Sequence, residues 1–469
     1  MPSDNVLKEK LYPDEKGYRL TQHGESVARI KRFLEYLTLD PSFKEKFQER
    51  PEQTIADFNL GLDFETVRAL LEPAYKENSA FDERRWYCEF VQNKIKSRNY
   101  MQQEGCQPAD LRFAKWRERQ VNRCWVEMGM RNENMIHTPL IFELSDGCSV
   151  GCPFCGVNAG KLCSVFRYTE ENAMLFRGIL EEMKELLGAA AGSGTCYYAT
   201  EPLDNPDYEK WVMEYYDVLG VIPQITTAVA MRDVARTKAL LKQVQSVYLH
   251  VDRFSVLSLD IFRKIMESFT PEELLYVELL PQFTEAPTNN FSAAGRNRSD
   301  NADYSTGTIC CVSGLVINMC KKEMRLVTPC GVDNAHPTGE LVLETGTFAD
   351  LKEFKIRLAE IMEKEMKRVD YDGEIAFYPY LEYGRMEQGF EIHSTGGYSK
   401  HFVGMECENH DVFGEVGDLI VKGGYSANNI SVLLEEKFEI DPAYSFYAIG
   451  KLYQFGCIDV KTHIQERRL

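Results

Sequence analysis

The residues with the clearest chemistry are three cysteines on one short stretch. Cys148, Cys152 and Cys155 lie within Glu-Leu-Ser-Asp-Gly-Cys-Ser-Val-Gly-Cys-Pro-Phe-Cys-Gly-Val-Asn, residues 143–158, in a C-x3-C-x2-C spacing. Three thiolates on one loop can hold three irons of a four-iron, four-sulfur cluster and leave the fourth iron open to a small molecule. A zinc site would want a fourth ligand and usually uses paired C-x2-C knuckles. Chance clustering in a chain with 14 cysteines is the other alternative. The stretch before the cysteines, 138–144, is largely apolar and reads as a buried strand, so the thiols sit on the loop leaving a strand's C-terminal end.

The elements that must position this loop follow it in order. Hydrophobic patterning predicts strands at 139–144, 194–199, 222–227, 246–251 and 274–280. Helices are predicted between them at 170–187, 207–219, 232–243 and 258–268, the first capped by Thr169. Alternation of this kind signals parallel βαβ units and an α/β fold, here a partial TIM-like barrel with ligands at the C-terminal ends of its strands. Those ends carry polar residues: Thr200-Glu201-Pro202 and Asn205-Pro206 after the second, Thr226-Thr227 at the third, His250 and Asp252 at the fourth. Taken singly, a threonine at a strand end is more often a local cap and a lone histidine more often structural.

The cysteine loop, with aromatic Phe154 before its third cysteine and a strand in front, resembles the radical S-adenosylmethionine (SAM) superfamily. That resemblance implies a (β/α)6 barrel, one 4Fe-4S cluster, and SAM bound to the open iron through its amino and carboxylate groups. There an electron cleaves SAM to a 5′-deoxyadenosyl radical. Tyr198 to Pro206 is similar to the family's Gly-Gly-Glu-Pro motif, with Ala199 and Thr200 where the glycines stand. By resemblance, Cys148, Cys152 and Cys155 are the metal ligands, and Phe154, Thr200, Glu201, Thr227 and His250 the cofactor-binding candidates. The sequence shows no nucleotide motif for a built-in reductase, so an external electron donor such as flavodoxin or ferredoxin is implied.

Four segments are expected: a helical region 1–137, the barrel 138–285, a hairpin and helix 286–370, and a C-terminal region 371–469. In the first, Glu25–Tyr36 reads as a helix, and the run from Phe33 to Asp63 resembles helical leaders of modified peptides. Phe113, Trp116, Val121 and Trp125 mark a long helix leading into the barrel, with Arg112, Lys115, Arg117, Arg119 and Arg123 as its solvated face. In the third, a polar stretch 286–308 reads as a long loop whose Arg296 and Arg298 are candidates for holding a carboxylate. A hairpin turning at Lys321-Lys322-Glu323 and a helix 347–367 capped by Thr347 come next. The hairpin resembles the SPASM or twitch extension, in which Cys311 and Cys330 would bind an auxiliary cluster. Only Cys407 and Cys457 follow, too few for a full one. The last segment resembles winged-helix, α+β elements that bind leader peptides by strand addition.

Taken together, the cysteine loop, Cys311-Val312-Ser313-Gly314 and Leu326-Val327-Thr328-Pro329-Cys330 resemble radical SAM peptide epimerases of the proteusin type. These turn L-residues into D-residues in a ribosomal precursor peptide. The adenosyl radical removes a Cα hydrogen, and a cysteine thiol on the opposite face returns one. The resemblance makes Cys330 the first candidate for that thiol and Cys311 the second. A peptide cyclase forming thioether or carbon–carbon links is the alternative within the superfamily, and a non-catalytic iron-sulfur or zinc scaffold the alternative outside it. The chain has 469 residues, is 44% hydrophobic and 27% charged, and carries a net charge of -18. Such a surface repels phosphate backbones, so nucleic acid is not an expected partner. No apolar run of membrane-spanning length is present, and the polar start lacks a signal-peptide core. A cytoplasmic setting with reduced thiols is therefore expected.

Overall fold

The computed structural model describes residues 9–13, 19–72, 82–283, 286, 292–298, 310–367 and 370–467. Most of the polar stretch read as a long loop lies outside the described residues. The fold is mixed α/β. Strand β1 (Thr138–Glu143) is buried along its whole length. A two-residue ladder, β2 (Ser145–Asp146) with β3 (Ser164–Val165), follows it. Strands β4 (Thr226–Thr227), β5 (Asp252–Val256) and β6 (Val277–Pro281) form a parallel sheet in that order. The remaining strands of this region are β7 (Val312–Asn318), β8 (Glu323–Pro329) and β9 (Glu340–Thr347). They extend β1 in the order β1-β7-β8-β9, with β7 parallel to β1 and the other pairs antiparallel. Single-residue parallel bridges, Ile141 with Thr195 and Thr195 with Gln224, join the two sheets.

Strands covered on both faces read as continuous apolar runs, and β1 and β7 are of this kind. Leu140, Phe142, Leu315 and Ile317 point to one side. There they pack on the helices Glu170–Leu187, Tyr208–Leu219, Val234–Val247 and Leu351–Glu365 through Phe176, Trp211, Leu240 and Phe354. Ile141 and Val316 point to the other side, with Cys310, Val327 and Tyr198. At the far edge, Val277, Leu279, Phe254 and Val256 share a core with Phe33, Tyr36, Phe43 and Phe47 of the helices Gln22–Leu39 and Pro41–Glu49. Lys31 Nζ from the first of these donates to Val277 O at 2.7 Å and so covers a carbonyl of β6.

Thr169 caps the helix Glu170–Leu187 as the sequence predicts, and Ser426 caps Ala427–Phe438 through a capping box. Other boundaries differ. The second expected strand is a single bridge at Thr195. The helix expected to stop at 243 runs to Val247 because its apolar period continues through Leu241 and Val244. That pushes the fourth strand from 246–251 to 252–256. Thr347 still pairs with Glu323 in the sheet, so Asp350 caps the next helix instead.

The largest correction concerns the helix Leu111–Met128. Arg112 and Lys115 face solvent, but Arg117, Arg119 and Arg123 are buried. Arg117 donates to the carbonyls of Ile136 and His137 at the start of β1. Arg123 donates to Pro329 O and Thr328 Oγ1 at the end of β8 and pairs with Glu127. Arg119 pairs with Asp459 at 2.6 Å and lies 3.5 Å from the centre of the Tyr453 ring. The charges look solvated in sequence because their partners are far along the chain. Asp459 belongs to a C-terminal unit whose core joins the ladder 381–402 to the helices Val412–Lys422, Ala427–Phe438 and Pro442–Gln454.

Removing one partner of a buried ion pair strands the other charge, so Asp459→Ala should lower unfolding stability by about 3–5 kcal/mol; urea unfolding measures it. His137 gives a second expectation. Its ring nitrogens lie 2.8 Å from Ser313 Oγ and from Asn132 Oδ1. Burial, with Arg117 and Arg123 nearby, pushes its pKa down to about 3. The unfolded value is near 6.5, so the unfolded chain takes up the proton first and stability falls as pH drops below that. From pH 7 to 5 this residue should remove on the order of 2 kcal/mol, and His137→Gln should flatten the pH dependence of the unfolding midpoint.

Candidate functional site

The three-cysteine loop leaves the C-terminal end of β1 through the β2–β3 ladder. Cys148 N donates to Gly160 O at 2.9 Å and Cys163 N to Asp146 O at 2.8 Å, closing its neck. Gly147 has φ +84°, and a Cβ there would lie 2.1 Å from Lys161 O. Only glycine suits that position, which explains the residue before the first cysteine. Val150 N donates to Cys148 Sγ at 3.4 Å and Ala159 N to Cys155 Sγ at 3.5 Å. Such N–H···S bonds favour anionic sulfur and tune a cluster's potential. All three cysteines are partly exposed. Burial raises the pKa of Cys148. It also raises that of Cys152, with further contributions from Cys148 and Cys155. Crowded thiols give up their protons together only when cations compensate them. Among the described residues no three His, Cys, Asp or Glu side chains are already drawn into a metal-holding set. The loop thus offers donors suited to a cluster, without a preformed cage.

Behind the loop, three polar side chains of the 201–205 turn each bind a different element. Glu201, 3% exposed, accepts from Thr227 Oγ1 at 2.6 Å, Ala228 N at 2.9 Å and Leu203 N at 3.1 Å. It thereby locks the second strand's exit to the end of β4. Burial raises its pKa, and these three donors oppose the rise. Asp204 accepts from Ser149 N at 2.8 Å, within the cysteine loop, and from Arg232 at 2.7 Å. Arg232 also donates to Ser149 Oγ at 2.7 Å. Asn205, fully buried, donates to Leu144 O and Phe166 O, both at 2.8 Å, and accepts from Asp207 N. Glu143, the last residue of β1, accepts from Ala199 N and from Asn318 Nδ2, each at 3.0 Å, and so fixes the backbone just before Thr200.

The structure thus brings Glu201 and Thr227 into direct contact, with Thr200 beside them in the chain. Phe154 is half-buried between Cys152 and Cys155. His250 is elsewhere. It precedes β5 instead of ending the fourth strand, so it lies at the opposite, N-terminal end, with Nε2 2.7 Å from Asp252 Oδ1. Cys330 follows Pro329 at the end of β8, and Cys311 precedes β7. Antiparallel pairing puts both at the start of the β1–β7 pair. Cys330 is buried beside Arg123 and Glu127, at a cavity of about 20 Å³ that His336 also lines, room for about one water. Burial, then the Glu127 charge, raises its pKa well above the usual thiol range. Cys311 is exposed. Arg296, a carboxylate-binding candidate in the sequence, instead donates to the carbonyls of Cys152 and Ala159. Ser149, Asp204 and Arg232 are the site residues that sequence reasoning missed. Asp204, the one polar residue between Glu201 and Asn205, is the available signal.

These observations define a mixed α/β protein with a three-thiol loop anchored at the C-terminal ends of parallel strands. The chain is 31% identical over 439 residues to the uncharacterized protein y4wI of Sinorhizobium fredii (strain NBRC 101917 / NGR234), which takes in 88% of this chain and 83% of that one. It belongs to the family of that protein. No family model matches the chain. Among solved structures, BtrN in complex with AdoMet and 2-DOIA is similar over 40% of this chain and 71% of its own, at 13% identity and a TM-score of 0.30. That likeness is too slight to define the fold.

Asn205 is fully buried and joins three backbone groups. Asn205→Ala should cost about 1–3 kcal/mol, because it removes one of two donors from each of two buried carbonyls and the side-chain acceptor of Asp207 N. Thermal unfolding with a circular-dichroism readout tests this, and an unchanged midpoint would remove Asn205 as the anchor of the loop.

Proposed function

We propose that this protein is a radical SAM enzyme acting on a ribosomally made precursor peptide, and that it epimerises L-residues to D-residues at Cα. The observation that carries the first part is the C-x3-C-x2-C loop, held at the C-terminal end of β1 by Asp204, Arg232 and Asn205. Cys148, Cys152 and Cys155 would hold one four-iron cluster. Glu143 and Glu201 fix the backbone around Ala199 and Thr200, where the resemblance puts the amino group of SAM. Held by those three thiolates, the cluster would supply the electron that cleaves SAM, and so the radical that takes the Cα hydrogen. Positioning rather than acid–base chemistry then decides which carbon reacts.

Hydrogen return falls to a thiol of this chain. Cys330 is the first candidate, an S–H bond being what the step consumes; it sits at the end of β1 opposite the three-cysteine loop, at a cavity with room for about one water, so the peptide would have to open that cavity to reach it. The new Cα–H bond forms as S–H breaks, and the sulfur radical regains its hydrogen from one electron of a flavodoxin- or ferredoxin-type donor and one solvent proton. Cys311 is the second candidate, since it is open to solvent.

The test is an anaerobic reaction of reduced enzyme, SAM and the candidate precursor peptide in heavy water, followed by digestion and mass analysis. The expected product gains about one mass unit per converted residue, as one deuterium replaces one hydrogen, yields D-residues on hydrolysis, and is lost in Cys330→Ala while SAM cleavage continues. A product that loses hydrogen would move the assignment to a cross-linking enzyme. Failure of Cys148→Ala to abolish SAM cleavage would overturn the cluster assignment.

A further inference from the structure

Arg296 makes contacts that the reading above does not use. Its backbone N donates to Cys155 O at 2.9 Å, its Nε to Cys152 O at 2.9 Å and its Nη1 to Ala159 O at 2.9 Å. One residue thus gathers three carbonyls of the cysteine loop. The residue before it approaches just as closely: a Cβ on Gly295, at φ +57°, would lie 2.4 Å from Cys155 O and 2.3 Å from Gly156 O. The same segment is tied on its other side. Gly295 N donates to Pro337 O at 2.7 Å, Arg298 Nη1 donates to Asp333 O at 2.9 Å, and Arg298 Nη2 reaches Asn334. Those acceptors belong to the turn between β8 and β9, which opens at Cys330 and closes where Cys330 N donates to Gly339 O at 2.9 Å.

We infer that residues 295–298 form a strap that positions the three-cysteine loop and couples it to the turn carrying Cys330. Arg296 is the positioning residue and Arg298 the coupling residue. A rigid fork of N–H donors suits this task, because it reaches two carbonyls at once, whereas an ammonium offers one point of contact. The positive charge also sits beside the chain of Cys152, where it would favour the more negative state of any bound cluster. The strap rests on the cluster reading only for that last consequence; the coupling of the two segments stands on the protein contacts alone.

The experiment is amide hydrogen exchange on the metal-free full-length chain, comparing wild type with Arg296→Ala, Arg296→Lys and Arg298→Ala. In Arg296→Ala, amides of residues 148–160 should lose about tenfold of their protection, the equivalent of one charge-assisted hydrogen bond. Arg296→Lys should restore only part of it. Arg298→Ala should speed exchange in both 333–339 and 148–160. Unchanged exchange over 148–160 in Arg296→Ala would overturn the strap, and exchange confined to 333–339 in Arg298→Ala would overturn the coupling. A parallel anaerobic iron and sulfide reconstitution keeps the two readings apart. Wild type that takes up iron, with Arg296→Ala losing it faster to a chelator, supports the strap in its role toward the cluster. Wild type that takes up no iron, while the exchange differences persist, removes the cluster reading and leaves the strap standing.

Discussion

Everything in this molecule leans on a helix that buries three guanidinium groups. Leu111–Met128 runs between the sheet and the C-terminal unit, and each buried arginine faces a different neighbour. Burying a charge costs several kcal/mol unless partners and hydrogen bonds replace its water. Arg117 therefore needs the carbonyls that lead into β1, Arg123 needs the end of β8, and Arg119 needs Asp459. The demand runs both ways, since Asp459 also accepts from Arg467 and Tyr378, and against its burial the charges of Arg119 and Arg467 and a hydrogen bond from His463 hold its pKa far below the usual carboxylate range. A polar chain continues from Arg123 through Thr328 and Ser313 to His137 and Asn132, so the start of β1 is set from both sides.

At the opposite end of β1 the same logic recurs on a smaller scale. Glu201, Asp204 and Asn205 spend their polar atoms on the ends of neighbouring strands and on the cysteine loop. A site built this way holds its loop through backbone groups and Ser149, without calling on the cysteine side chains, which leaves the thiols for a ligand. Fully satisfied carboxylates also explain why Glu201 and Glu143 can be buried at all.

Local signals made much of this legible. The apolar run of β1, the cap Thr169 and the turn at Lys322 are decided within a few residues, and sequence patterning finds them. Residues 192–228 were harder, because strands shortened to Thr195 and Thr226–Thr227 leave almost no period to read. His250 went to the wrong end because a helix one turn longer than expected slid the strand past it. The buried arginines were read as solvated because nothing near them in the chain announces a partner: the Arg119 bond to Asp459 spans 340 residues. The Ser149–Asp204 contact spans 55, beyond the reach of periodicity as well.

Those spans carry a consequence for synthesis. The bond from His137 to Ser313 closes across 176 residues, and β1 has its β7 neighbour only after that segment has been made. Arg119 waits longer still, for a residue near the last described helix. Long-range pairing of this kind folds slowly, and large chains built so pass through incomplete states with apolar surface exposed. On a ribosome, the three cysteines emerge well before the sheet that seats their loop is complete. The three thiols thus stand on the growing chain before the contacts that seat their loop exist.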